Sequence, residues 1–185
     1  MPLTVDDILA PDGLIAKKLP HFEQRDEQLT MAHAVADAFE SNEHLIAEAG
    51  TGVGKSFAYL VPALLRACEH KQRVVISTYT ISLQEQLIHK DLPFLAETLP
   101  LEFSAVLGKG RTNFLCFRRM ALAIKNRQKL FSGETQMQQL EQLAEWAMAT
   151  TTGSLQDIEF NLSRGVWEKV RCEPGLCQAN QCAHY

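Results

Sequence analysis

In the first part of the chain, short apolar runs alternate with segments in which apolar residues recur at helical spacing. The apolar runs predict buried strands, and they cover residues 44–49, 73–78 and 104–108. The periodic segments predict helices, and they cover residues 26–40, 55–70 and 82–90. Strands and helices in alternation are typical of a parallel sheet flanked by helices, so this part is predicted to be an α/β domain.

The pattern changes after Gly108. Residues 114–131 and 134–149 show helical periodicity with no strand between them, and residues 171–185 form a predicted loop that contains Cys, Pro and Gly. We therefore predict two parts. Residues 1–108 form a nucleotide-binding α/β part, and residues 109–185 form a mostly helical, cysteine-bearing insertion.

Composition limits the classes of protein that fit this pattern. The chain has 185 residues, of which 46% are hydrophobic, so a buried core is expected and global disorder is excluded. The net charge of -4 gives no overall attraction to nucleic acid, so such a partner would need a local basic patch. The acidic start with Asp6 and Asp7 does not fit a secretory signal, and no apolar run reaches the roughly 18 residues that span a bilayer. These features predict a cytosolic protein without membrane contact, in which the five cysteines serve metal binding or packing and not disulfides.

A glycine-rich segment between the first predicted strand and the following helix fits the phosphate-loop pattern, with Ala in place of the first Gly. The segment consists of Ala49, Gly50, Thr51, Gly52, Val53, Gly54, Lys55 and Ser56. Its glycines allow backbone N–H groups to converge on an anion, and the following helix presents its N-terminus to the same anion. The pattern predicts that Lys55 reaches the β- and γ-phosphates of ATP and that the Ser56 hydroxyl ligates Mg²⁺. A glycine turn that only links strand to helix is the alternative, but it gives no reason for the Lys-Ser pair.

Four cysteines have a spacing that indicates a shared metal site. They are Cys116, Cys172, Cys177 and Cys182. Four thiolates suit zinc or an iron–sulfur cluster, and spacing alone leaves cluster, zinc and no metal open. The fifth cysteine, Cys68, lies on the apolar side of the predicted helix after the phosphate loop and is expected to be a small packing residue.

A basic stretch begins the second part of the chain and contains no acidic side chain. Its cations are Lys109, Arg111, Arg118, Arg119, Lys125, Arg127 and Lys129. Phe114 and Phe117 lie among them, and this combination can bind phosphates and stack on unpaired bases. A solvated helix face with both phenylalanines in the core is the alternative.

Four segments carry a resemblance to a known family. They are EQRDEQ at 23–28, AEAGTGVGKSFAYLVPAL at 47–64, VVISTYTISLQEQL at 74–87 and GKGRTNFLC at 108–116. In combination they resemble the DinG/XPD-type iron–sulfur DNA helicases of superfamily 2, and most closely the bacterial DinG and YoaA branch. The resemblance covers nearly the whole chain. It implies an incomplete phosphate-loop NTPase (RecA-like) motor domain followed by an iron–sulfur insertion.

The resemblance also implies roles for particular residues. It implies that Arg25 and Gln28 contact the nucleotide, and that Thr78, Gln84 and Gln86 face the DNA backbone. It further implies that the four spaced cysteines hold a [4Fe–4S] cluster.

The chain departs from the family pattern in two ways. Ser56 stands where Thr is more frequent, which keeps the hydroxyl. The family's Asp-Glu-x-His box is absent, since the only Asp-Glu pair, Asp26-Glu27, precedes the phosphate loop. We therefore expect this chain to be the amino-terminal portion of an enzyme and to lack full turnover by itself.

Together these features predict an ATP-dependent DNA helicase, with 5′ to 3′ polarity implied by the resemblance. Its expected cofactors are ATP, Mg²⁺ and the cluster, and its expected partner is single-stranded or forked DNA. Two alternatives remain at this point: a truncated, non-catalytic module that binds nucleotide or DNA, and a phosphate-loop ATPase or kinase with a structural zinc.

Overall fold

The computed structural model describes residues 2–176, and the chain divides into two compact units. The first unit extends to Leu107 and the second begins at Gly108. Each unit has its own cluster of buried apolar residues. The division falls beside the predicted boundary near 108–110, while the assignment of the two parts to a motor domain and a cluster domain stays a prediction.

The first unit is built from six α-helices in its described residues. They are α1 (Val5–Leu9), α2 (Leu14–Lys18), α3 (Asp26–Ser41), α4 (Lys55–His70), α5 (Ile81–Gln86) and α6 (Leu92–Thr98). The helices predicted over 26–40 and 55–70 are confirmed as α3 and α4, and α4 continues through Pro62. These two helices pack against each other, and the fully buried Leu60 and Val61 of α4 lie in the core. The packing fixes the start of α4 relative to α3, which positions the phosphate loop.

The helix predicted over 82–90 is interrupted in the structure. A π-helical turn, Leu87–Asp91, separates α5 from α6. In this turn the N–H of Leu92 donates to the carbonyl of Leu87, five residues earlier, as is typical of a π-helix. Pro93 follows and supplies no N–H, so the regular α-helical bond to the preceding turn cannot form there.

The three predicted strands are not paired among the described residues. Residues 44–49, 73–78 and 104–108 carry no strand assignment, and no backbone hydrogen bond joins them within residues 2–176. Several of their apolar residues are therefore exposed to solvent: Ile46 is 99% exposed, Val75 is 83% exposed and Val106 is 93% exposed. All three segments are non-helical, and because their pairing is not seen among the described residues, the predicted sheet stays a prediction. A strand requires a neighbouring backbone, and a composition rule for one segment carries no information about that neighbour.

The second unit is also helical in its described part. Its elements are a 3₁₀ turn (Arg111–Asn113), α7 (Phe117–Lys125), α8 (Arg127–Leu130), α9 (Glu134–Ala149), a second 3₁₀ turn (Leu155–Asp157) and α10 (Arg164–Val170). The helix predicted over 134–149 is confirmed as α9. The helix predicted over 114–131 starts later and breaks at Asn126, whose side-chain amide donates to the carbonyl of Leu122 at 2.9 Å. That side-chain bond competes with continuation of the helix.

Two isolated antiparallel bridges lie within the described part of the second unit. One pairs Phe114 with Ser154, and the other pairs Leu115 with Arg171. The segment between the first 3₁₀ turn and α7 is therefore held on both sides by later parts of the chain. This arrangement was not predicted, because residues 150–171 had no periodic pattern that pointed to it.

No helix within residues 2–176 is both long and apolar enough to cross a bilayer. The cytosolic location stays a prediction.

The core of the second unit generates a stability prediction. Leu143 of α9 is fully buried, so Leu143→Ala should lower the free energy of unfolding of this unit by about 2–5 kcal/mol through the cavity it leaves. Both tryptophans, Trp146 and Trp167, lie in this unit, so their fluorescence during urea unfolding reports on it directly. Met148→Ala on the same helix is the control, because Met148 is exposed and its truncation should shift the midpoint by far less. Equal midpoints for Leu143→Ala and the parent would contradict the buried position of α9.

Candidate functional site

The phosphate loop reverses direction through two glycines with left-handed backbone. Gly52 has φ 86° and Gly54 has φ 82°, and α4 begins immediately afterwards at Lys55. Side chains other than glycine rarely adopt this conformation, which explains the glycines at these two positions. The N–H groups in the first turn of a helix have no partner within the helix, and such groups at the start of α4 can form an anion site.

Lys55 bends back over the loop that precedes it. Its ammonium donates to the carbonyl of Ala49 at 2.9 Å and to that of Gly50 at 2.6 Å. The cation is therefore held over the loop, close to the amides of the predicted anion site. Ser56 lies one position further along α4. Burial raises the pKa of Tyr59, and the Ser56 side chain opposes part of that rise.

Arg25 and Gln28 contact the phosphate loop itself. The side-chain amide of Gln28 donates to the carbonyl of Gly54 at 2.8 Å, and the guanidinium of Arg25 donates to the carbonyl of Gly52. A Cβ on Gly54 would lie 2.0 Å from Nε2 of Gln28. The sequence resemblance implied that both residues contact the nucleotide. The structure brings them to the loop, at the carbonyls of the two left-handed glycines.

Two of the three residues expected to face DNA have partners inside the first unit. The Thr78 hydroxyl donates to the carbonyl of Thr80 at 3.1 Å. The Gln86 amide donates to the carboxylate of Asp91 at 3.1 Å, and Asp91 is buried beside the π-helical turn. These bonds orient Thr78 and Gln86. Their DNA contacts, and that of Gln84, stay predictions.

The structure brings two of the four predicted cysteine ligands together. The amide of Cys116 donates to the carbonyl of Val170 at 2.8 Å, and the amide of Cys172 donates to the carbonyl of Phe114 at 2.7 Å. These bonds flank the second antiparallel bridge, so both cysteines lie on the same face of the paired segments as diagonal neighbours. Diagonal neighbours have Cα atoms about 7–8 Å apart, which allows two thiolates to reach one metal centre.

The other predicted ligands, Cys177 and Cys182, lie outside the described residues. Within residues 2–176, no group of three or more metal-ligating side chains converges. Cys116 is buried, and the thiol of Cys172 contacts the carbonyl of Leu115 at 3.3 Å.

Cys68 is far from these cysteines in sequence and belongs to the first unit. It is half-buried near the end of α4, so the expectation of a small buried packing residue is only partly met. Burial raises the pKa of its thiol, and the neighbouring Glu69 adds to that rise. The ligand set without Cys68 stays a prediction.

Several cations of the basic stretch make contacts inside the second unit. Arg119 donates to two backbone carbonyls, and Lys109 donates to Ser154 and Gln156. The alternative placed both Phe114 and Phe117 in the core, and Phe117 does pack against the core of the unit. Lys125 and Lys129 are exposed. The stretch therefore divides into cations that hold the unit together and cations that face solvent, a division that charge counting could not reveal.

Comparison with known proteins shows which family the chain resembles. The model of the DEAD/DEAH box helicase family matches residues 28–172. The chain is 37% identical over 183 residues to the ATP-dependent DNA helicase YoaA of Escherichia coli, which covers 97% of this chain and 27% of that protein. It is also 37% identical over 169 residues to the ATP-dependent helicase DinG of Mycobacterium tuberculosis, which covers 83% of this chain and 26% of that protein.

A further relative is the 3'-5' exonuclease DinG of Bacillus subtilis, which is 32% identical over 92% of this chain and 18% of its own length. The chain thus spans about a quarter or less of the curated relatives it matches. The residues matched by the family model include the phosphate loop, and the resemblance predicted from the sequence is confirmed. The chain belongs to the DEAD/DEAH box helicase family, with relatives named DinG and YoaA.

Proposed function

We propose that the protein is an ATP-dependent DNA helicase of the DinG/YoaA type, moving 5′ to 3′ on DNA. In this proposal the first unit binds the phosphates of ATP, and the second unit holds a [4Fe–4S] cluster and contacts single-stranded or forked DNA. The observation that carries the proposal is the phosphate loop, in which Gly52 and Gly54 turn the backbone and α4 begins at Lys55.

The residues of the loop fit an Mg²⁺–ATP ligand. The N–H groups at the start of α4 would bind phosphate oxygens, and the Ser56 hydroxyl would ligate Mg²⁺. Lys55 would exchange its two carbonyl partners for phosphate oxygens, an exchange that keeps the ammonium hydrogen-bonded throughout. ATP then supplies the phosphoryl group that is transferred to water, and closure of a cleft between motor domains would convert this reaction into movement on DNA.

The cysteines of the second unit are suitable ligands for an iron–sulfur cluster. Cys116 and Cys172 are diagonal neighbours on one face, and α7 begins directly after Cys116. A helix N-terminus favours negative charge, as carried by thiolates. Cys177 and Cys182 would complete four thiolate ligands, which an iron–sulfur cluster requires. When bound, such a cluster would crosslink distant parts of the second unit.

Nucleotide binding gives the first functional prediction. Lys55→Ala should weaken ATP binding by the 185-residue chain at least about tenfold, because it removes a cation that pairs with phosphates. Isothermal calorimetry with Mg²⁺–ATP measures this, and Lys90→Ala, at an exposed site of the same unit, should bind like the parent.

The same chain should turn ATP over more slowly than about 1 per second, since no Asp-Glu pair follows its phosphate loop. Faster steady-state hydrolysis would refute the expectation that this portion lacks full turnover by itself.

The contact between Gln28 and Gly54 gives a second prediction. Gly54→Ala should abolish measurable ATP binding, because the new Cβ meets the Gln28 amide and the left-handed backbone is strained for alanine. Adding Gln28→Ala removes the steric clash but not the backbone strain, so the double variant should recover only part of the affinity. Gly108→Ala is the matched control, since a Cβ at Gly108 meets nothing within 4 Å and this glycine lies outside the phosphate loop. If the double variant recovers the full ATP affinity of the parent, the clash with Gln28 alone explains why residue 54 must be glycine.

The cluster gives a third prediction. Purified without oxygen, the chain should contain about four irons and absorb visible light, as thiolate-bound iron–sulfur clusters do. Cys116→Ser should lose the iron, whereas Cys68→Ser should keep it, because the Cys68 thiol belongs to the other unit. Elemental analysis of the purified protein separates the alternatives. If it finds zinc and no iron, the site is a structural zinc site and not a cluster. Loss of iron from Cys68→Ser would refute the proposed ligand set.

A further inference from the structure

Arg119 contacts the residues on both sides of Cys172. Its Nη1 atom donates to the carbonyl of Arg171 at 2.8 Å and lies 3.1 Å from the carboxylate of Glu173. Its Nη2 atom donates to the carbonyl of Glu168, in the last turn of α10, at 3.0 Å. One guanidinium therefore holds the residue before Cys172, the residue after it and the helix that leads to it.

The same side chain originates beside the other described cysteine. Arg119 lies in the first turn of α7, three positions after Cys116, and α7 begins directly after that cysteine. Its side chain is only 17% exposed, so these hydrogen bonds form away from bulk water. Arg119 thus links the two segments that carry Cys116 and Cys172, in addition to the backbone bonds between them.

We propose that Arg119 is a positioning residue for the iron–sulfur cluster, which it serves by fixing the backbone around Cys172 relative to Cys116. This inference rests on the cluster proposed above. Arg119 was expected from the sequence to face DNA with the other basic residues. In the structure its guanidinium instead contacts Glu168, Arg171 and Glu173, which lie in the second unit close to Cys172 in sequence.

The shape of the guanidinium explains why arginine occupies this position. Its planar fork can bond two carbonyls and a carboxylate in fixed directions, while an ammonium is a point charge on a flexible stem. Groups that orient metal ligands without touching the metal typically alter metal retention about 10- to 100-fold when they are removed. A charge near the thiolates would also favour the cluster, so the test must separate position from charge.

Three variants make that separation. Arg119→Ala removes the fork and the charge, and Arg119→Lys removes the fork but keeps the charge. Arg164→Ala is the matched control, because Arg164 is another arginine of the second unit with a contact to Glu168, but its side chain is 89% exposed. Each protein is purified without oxygen, and iron per chain is measured together with the rate at which a chelator removes the visible absorbance. Unfolding midpoints from tryptophan fluorescence check that each protein is folded at the temperature used.

The expected result is that Arg119→Ala and Arg119→Lys both lose the cluster to chelator about tenfold faster than the parent, while Arg164→Ala matches the parent. The electron paramagnetic resonance spectrum of the reduced cluster should also change in Arg119→Lys, which a general loss of stability would not produce. If Arg119→Ala does not fold, Arg119→Lys decides the matter.

Two other results overturn the inference in distinguishable ways. Cluster loss at the parent's rate in Arg119→Lys, with an unchanged spectrum, refutes the positioning role and leaves the proposed cluster intact. A parent chain without iron refutes the proposed cluster, and the role of Arg119 with it.

Discussion

The left-handed backbone at Gly54 is the constraint on which the nucleotide site depends. It ends the extended approach of the chain and starts α4 at the next residue, so the first free amides of the helix and the Lys55 side chain arise at the same point. The packing of α3 on α4 then brings Gln28 against this turn. A side chain at residue 54 would collide with that amide, so the turn, the helix start and the contact from α3 are compatible only with glycine.

The second unit depends on a different constraint, the pairing of the segment before α7 with the segment after α10. Two bridges hold residues 114 and 115, and hydrogen bonds from Cys116 and Cys172 extend the pairing on both sides. The contacts with residues 170–172 span more than fifty positions of sequence. The indole of Trp167 spans a similar separation when it donates to the carbonyl of Thr112 at 2.9 Å. Long-range pairing of this kind has an entropic cost of loop closure. Burial of Trp167, Val166 and Val170 offsets that cost.

The sequence predicted what is local and missed what depends on distant partners. Helices α3, α4 and α9 follow from periodicity, and the phosphate loop follows from a pattern whose residues are neighbours in the chain. The paired sheet stays a prediction, since apolar β-branched runs specify extended backbone without specifying a neighbour and no pairing joins them among the described residues. The role of Arg119 was also missed, because charge density does not distinguish a cation that binds carbonyls from one that faces solvent. The only available signal was its spacing of three residues from Cys116, which places it in the first helical turn.

The two sites share one physical device, although they belong to different units. In each, long polar side chains bind backbone carbonyls next to the positions that would meet a ligand: Gln28 at Gly54 in the first unit, and Arg119 at Arg171 in the second. A carbonyl held in this way fixes the peptide plane to which it belongs, because the peptide unit is planar. The N–H on the opposite side of that plane is then fixed as well. The plane fixed at Gly54 carries the amide of Lys55, and the plane fixed at Arg171 carries the amide of Cys172, which donates to the carbonyl of Phe114. A side chain that binds a neighbouring carbonyl can therefore determine where ligand-binding groups lie, and its loss should alter ligand retention before it causes unfolding.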